Sequence, residues 1–287
     1  MFSLDALRLQ TSTWQTSLSL ALASDLAYQS FTVMQATTKA WGLSTFQRLD
    51  HADTQGFVAI APDVTLIAFR GTQEPGDFLD DIDVLPTSRP YGRVHSGFLG
   101  AYNAIAGDLL ATLRGLPATP TKIWLTGHSL GGAVASVAAA ELAQIVTFAG
   151  IQTFGQPLLA DSAMHDFFEQ TYGGRFTRFV NNQDVVPRIP PGYQPVGHMV
   201  HFTADGGVER TALSAAIAER EAEPMSRPEY DRLKAEVRAL KIRAMAQPMA
   251  NRRAFVTSGL EFNFPIFLDH RIARYIDVLN RLAAGPA

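Results

Sequence analysis

At 287 residues, of which 47% are apolar and 18% charged, the chain has enough material for one large core, and the expectation is a single domain over residues 1–287. Its 24 Lys and Arg stand against 27 Asp and Glu, a net charge of -3, and no basic run is dense enough to track a phosphate backbone, which argues against nucleic acid as a partner. Cysteine is absent, which excludes disulfides, thiolate catalysis and Cys-ligated zinc.

The N-terminus carries Asp5 early, no positive cluster ahead of an apolar run and no small-residue cleavage pattern. It therefore reads as part of the fold, and the expected location is the cytoplasm, or outside the cell without a recognisable signal. Within residues 17–29, Leu18, Leu22 and Leu26 recur at helical spacing and predict a core-facing helix. Residues 57–60 and 64–69 are β-rich runs separated by Pro62 and Asp63, a hairpin signal, and the second is apolar enough for a central strand covered on both faces. Residues 73–93, rich in Gly, Pro and Asp, read as a loop. Tyr102, Ile105, Leu109 and Leu113 mark a helix that Gly115 and Pro117 stop.

Further on, the pattern predicts a strand at 122–125, a turn at 127–131, a small-residue helix at 133–142, strands at 144–148 and 176–180, and a helix at 161–172. The weakly polar stretch 131–151 is interrupted by Glu141 and Gln144 and changes period, so it fits a buried helix and strand rather than a membrane span. Alternating strands and helices imply right-handed βαβ units: an α/β fold with a mainly parallel central sheet and helices on both faces. Residues 211–253 break the rhythm, being rich in Ala, Arg and Glu. Pro224 and Pro228 divide them into two helical pieces, and Tyr230, Leu233, Val237, Leu240 and Ala244 repeat close to a heptad in the second. An amphipathic hairpin lying on the domain, a cap over a site and a dimer contact are the three readings this insertion leaves open.

The chemistry begins at "LTGHSLGGA", residues 125–133. A strand that turns at once into a helix holds its turn residue in a cramped conformation with the side chain raised above the sheet. Gly127 and Gly131 remove the Cβ atoms that would collide around Ser129. This is the nucleophile-elbow pattern of α/β-hydrolases, and a dinucleotide site would need different glycine spacing. A serine hydroxyl needs a base, and the base an orienting acid, in the chain order Ser, Asp or Glu, His. Among the later histidines, His165 reads as a helix-surface residue, and His198 and His201 as strand residues on opposite faces. His270, after the apolar run "FNFPIFLD" and ahead of the helical spacing of Ile272, Tyr275, Ile276 and Leu279, stands where a loop-borne base belongs. Asp161 and Asp166 suit helix-start and helix-surface roles, Asp205 a turn, and Asp269 a cap on the last helix. Asp184 follows the strand "RFTRFV" at the carboxyl edge of the sheet and is taken as the acid. Backbone donors for an oxyanion fall to Leu130, directly after Ser129, and to Thr72, in the loop that ends the strand at Phe69.

These residues resemble the class 3 lipases, typified by triacylglycerol lipases of filamentous fungi. The likeness runs in order through "IAFRGT" (67–72), "VHSGF" (94–98), the elbow, "TFGQP" (153–157), "RFVNNQDVVPRIPP" (178–191) and Asp269 with His270. It implies the same assignment: Ser129 nucleophile, Asp184 acid, His270 base, Thr72 and Leu130 oxyanion donors. It also implies a lid after the oxyanion loop, where Phe78, Leu79 and Ile82 are spaced helically among acids, although an acidic loop packing those residues down fits equally. His95 matches the family but precedes the serine and is given a structural role. The implied activity is hydrolysis of carboxylic esters, of lipids or small esters, without metal or organic cofactor and with transient contact at a lipid surface. A phospholipase, a short-chain or aromatic esterase, and an inactive lipase-like binding module stay open beside a triacylglycerol lipase. The insertion 211–253 has no counterpart in the resemblance.

Overall fold

The computed structural model describes residues 1–9, 11–72, 85–116, 122–208, 223–245 and 267–285. The chain opens with α1 (Leu4–Arg8), capped by the Ser3 side chain, and α2 (Trp14–Leu26), closed at its start by a capping box between Thr13 and Thr16. Ala6 and Leu7 are buried, so the N-terminal residues join the core. After α3 (Phe31–Ala40), the strands β1 (Thr45–His51), β2 (Thr54–Ile60) and β3 (Val64–Phe69) form an antiparallel meander. Every residue of β3 is buried, as its apolar run requires.

From β3 onward the sheet is parallel. It continues through β6 (Lys122–His128), β7 (Phe148–Phe154), β8 (Phe176–Asn181) and β9 (His198–Phe202), giving the order β1-β2-β3-β6-β7-β8-β9. The crossovers include α4 (Ser96–Arg114), α5 (Leu130–Leu142) and α6 (Ser162–Thr171). On one face α4 and α5 pack with α6 over a core containing Phe69, Leu125, Val137, Phe148 and Phe176. On the other, α2 and the last helix α8 (Ile272–Ala284) cover Phe57, Leu66, Trp124, Phe154 and Phe179. This is an α/β-hydrolase fold, a mostly parallel sheet flanked by helices. No described helix is long and apolar enough to cross a membrane.

Several elements differ from the sequence expectation. The stretch taken as a loop up to residue 93 contains, at its end, a two-stranded antiparallel ribbon of β4 (Pro86–Arg89) and β5 (Gly92–His95). All four residues of β4 are exposed, so no inward-outward alternation marks it in the sequence. The strand expected at 144–148 lies instead at Phe148–Phe154: the amides of Ile145 and Val146 bond back to the Leu142 carbonyl and close α5, while Gly150, Gln152 and Thr153 disguise the true strand. The N-cap of α8 is Arg271, not Asp269.

Of residues 211–253, only 223–245 are described. α7 (Arg227–Met245) buries Tyr230, Leu233 and Val237 in the same core cluster as residues of α4 and α5, with Pro228 accommodated in its first turn. The first helical piece and the three lid residues Phe78, Leu79 and Ile82 lie outside the described residues.

Candidate active site

The end of β6 and the start of α5 place Ser129. It is 3% exposed and its backbone is left-handed at φ 57°, ψ -130°, a conformation that costs a side-chain-bearing residue about 1–3 kcal/mol and persists only where its surroundings enforce it. The enforcement is visible. The Ser129 amide donates to the Phe154 carbonyl at 2.9 Å, pinning the turn to β7. A Cβ on Gly127 would stand 2.2 Å from the Gly131 carbonyl oxygen, and one on Gly131 2.2 Å from that of Phe69, so neither position admits a side chain. Leu130 opens α5, and its amide belongs to the first turn, where N–H groups have no intrahelical acceptor. Thr72 is half-buried at the end of the loop that follows β3.

Asp184 and His270 meet. The His270 Nδ1 lies 2.9 and 3.0 Å from the two carboxylate oxygens of Asp184, and the side chains are completely buried. Asp184 follows β8, and its Oδ1 accepts from the Val186 amide at 3.0 Å, an Asx turn that fixes the carboxylate. The same carboxylate thus closes an Asx turn and meets the histidine. The His270 and His128 rings are 4.6 Å apart, centroid to centroid, which sets the imidazole beside the residue preceding Ser129. Gly155, with φ 59°, floors this pair: a Cβ there would come within 2.8 Å of the His270 ring and 2.9 Å of Asp184 Oδ2.

The other histidines and aspartates are placed elsewhere. His165 is half-buried on α6 and bonds the Pro195 carbonyl through Nδ1. On β9, His198 is exposed and His201 is buried with Nε2 at 2.9 Å from the Asn182 carbonyl. His95 caps α4 and stacks on Phe98 at 4.0 Å. Asp161 caps α6 and Asp205 accepts from the Gly207 amide in its turn.

Residues that sequence reasoning passed over hold His270 and Asp184 in place. Asn181 Nδ2 donates to the Asp269 carbonyl and Asn182 Nδ2 to the Asp269 carboxylate, both at 2.9 Å, which is the role Asp269 has in place of a helix cap. The Tyr275 hydroxyl donates to Asp184 Oδ2 at 2.5 Å and accepts from the Asn181 amide. Burial beside Asp184 raises the Tyr275 phenol well above its ordinary range, so it stays a donor. The paired asparagines of "VNNQD" were the available signal.

The sequence model of the family described as Lipase (class 3) matches residues 66–194, a stretch that includes Thr72, Ser129 and Asp184 and ends before His270. A lipase of Rhizomucor miehei is 36% identical over 135 residues, covering 44% of this chain and 37% of that protein. Phospholipase A1-II 4 of Oryza sativa subsp. japonica is 29% identical over 216 residues, 59% of this chain and 54% of that protein. The chain thus spans from about a third to about half of the length of these curated relatives. Among solved structures, Rhizomucor miehei triacylglyceride lipase superposes with a TM-score of 0.56 at 26% identity, over 67% of this chain and 80% of that one. The sequence match over residues 66–194 and the shared fold both liken the chain to the class 3 lipases.

Proposed function

We propose that the protein is a serine carboxylic ester hydrolase acting on lipid or small ester substrates, with triacylglycerol or a related acylglycerol as the substrate class. The observation that carries this reading is the buried contact of His270 Nδ1 with Asp184, beside a serine held at positive φ on a strand-to-helix turn. With Nδ1 committed to the carboxylate, Nε2 is the nitrogen that serves as base. Ser129 Oγ attacks the ester carbonyl while its proton passes to His270 Nε2, and Asp184 holds the tautomer and balances the imidazolium. The Leu130 and Thr72 amides receive the oxyanion. Collapse returns the proton to the leaving alcohol and leaves an acyl group on Ser129; water, deprotonated by His270, then releases the acid.

A phospholipase reading stands second, because the rice phospholipase A1 relative aligns over a longer stretch than the fungal lipase does. The domain reading is one α/β-hydrolase unit over residues 1–287 with a helical insertion at 211–253, supported by the burial of α7 in the core. Contact with a lipid surface, through the segment holding Phe78, Leu79 and Ile82, belongs to the same proposal.

The test compares hydrolysis of p-nitrophenyl esters of increasing chain length with emulsified triacylglycerol and with phospholipid vesicles. Turnover of long-chain esters and triacylglycerol is expected. Activity confined to short chains overturns the lipase assignment, preference for phospholipid moves the chain to the second reading, and no turnover of any ester by the wild type overturns hydrolysis itself in favour of a binding module.

A further inference from the structure

His128 and Tyr28 are not part of the mechanism above, yet they bridge its parts. His128 ends β6 next to Ser129 and is 1% exposed. Its Nε2 lies 2.6 Å from the backbone carbonyl oxygen of His270, and its Nδ1 lies 2.9 Å from the Tyr28 hydroxyl. A carbonyl oxygen only accepts, so Nε2 carries the hydrogen. Burial and the neighbouring His270 hold the His128 pKa well below its ordinary value, so the ring is neutral and Nδ1 is a lone pair. Tyr28 must therefore donate to it. The Tyr28 oxygen packs directly against the loop after β3, where a Cβ on Gly71 would lie 2.2 Å from it.

The bridge runs from Gly71, packed on the Tyr28 hydroxyl, through the donors Tyr28 and His128 to the His270 carbonyl. Its geometry is fixed from below. The Tyr28 amide bonds the Asp25 carbonyl at the end of α2, and α2 is bolted to β6 by the buried Ser24–Thr126 hydroxyl contact at 2.9 Å.

We propose that Tyr28 and His128 are positioning residues for ester hydrolysis, setting the oxyanion loop at Gly71–Thr72 and the backbone of the base His270 against each other across Ser129. This role rests on the reading of the site as an ester hydrolase. Neither side chain has to touch substrate: the oxyanion donor and the base must share one frame, and a misplacement of about 1 Å in such a frame is worth roughly 100-fold in rate. Removing the bridge acts on the transition state, where both ends are used at once, and leaves ground-state binding alone.

Tyr28→Phe removes only the hydroxyl and keeps the ring packing. With a soluble p-nitrophenyl ester, kcat is expected to fall roughly 10- to 100-fold while KM stays within about twofold and the melting temperature within a few degrees. His128→Gln, whose amide still donates to the His270 carbonyl, is expected to retain more kcat than His128→Leu, at similar melting temperatures. An active wild type whose Tyr28→Phe variant keeps kcat within about twofold, or loses it through KM, overturns the positioning role alone. Equal kcat for the two His128 variants overturns it as well, and that pair decides if Tyr28→Phe does not fold. A wild type that hydrolyses no ester overturns the proposed function and this role with it.

Discussion

The two halves of the site are built in opposite ways. Ser129 is placed largely by its immediate neighbours: β6, the turn and α5 are consecutive in the chain, and the glycines on either side allow the strained backbone, with one amide bond to Phe154 of β7 added. His270 is placed almost entirely by residues distant in the chain, with Asp184, Asn181 and His128 lying 86, 88 and 142 positions from the partner each one holds. A locally encoded feature survives wherever its short motif survives. The loop bearing His270, by contrast, sits correctly only if β6, β8 and α8 have all packed. The elbow is therefore expected to tolerate damage elsewhere, and the His270 loop is not.

The largest expected effect is chemical. His270→Ala should reduce kcat/KM by about 10³-fold or more, whereas His198→Ala, on the exposed end of β9, should retain most activity; the reverse ranking in steady-state assays would refute the assignment of the base. Next comes the frame. Asn181→Ala removes the donor to the Asp269 carbonyl and should lower kcat about tenfold, with about 1 kcal/mol lost in denaturant unfolding. An unchanged kcat would mean that the loop is not held from β8.

The smallest effect is in pH. His128 is held well below its ordinary pKa, and the groups facing it are Tyr28, His270 and Tyr275. Below about pH 6.5 the unfolded chain takes up a proton at this histidine that the folded one refuses, so the folded state loses stability as pH falls, by at most about 1.4 kcal/mol per pH unit, and regains it fully above that range. Unfolding measured between about pH 5 and 7 should show this slope in the wild type and a shallower one in His128→Gln. Identical slopes would place the titration elsewhere.

The same contrast explains what was legible in the sequence. The βαβ rhythm, the all-buried β3 and the elbow follow from apolar runs and glycines at fixed spacing, which are local signals. The β4–β5 ribbon left no trace because its exposed strand buries nothing, and the strand expected at Ile145 and Val146 lies further on because Gly150, Gln152 and Thr153 dilute the apolar run of β7. Asp184 and His270 could be chosen by chain order and edge position. The partners that orient them could not, since an asparagine reads as a turn residue and Tyr275 as one more apolar position on an amphipathic helix until the fold brings them to Asp269 and Asp184.

The central claim is that Ser129 is an activated nucleophile, and covalent labelling addresses it most directly. A fluorophosphonate should attach stoichiometrically at Ser129, located by peptide mass mapping, with labelling absent in Ser129→Ala and strongly slowed in His270→Ala. An unlabelled wild type, or a label that persists in Ser129→Ala, would contradict the account.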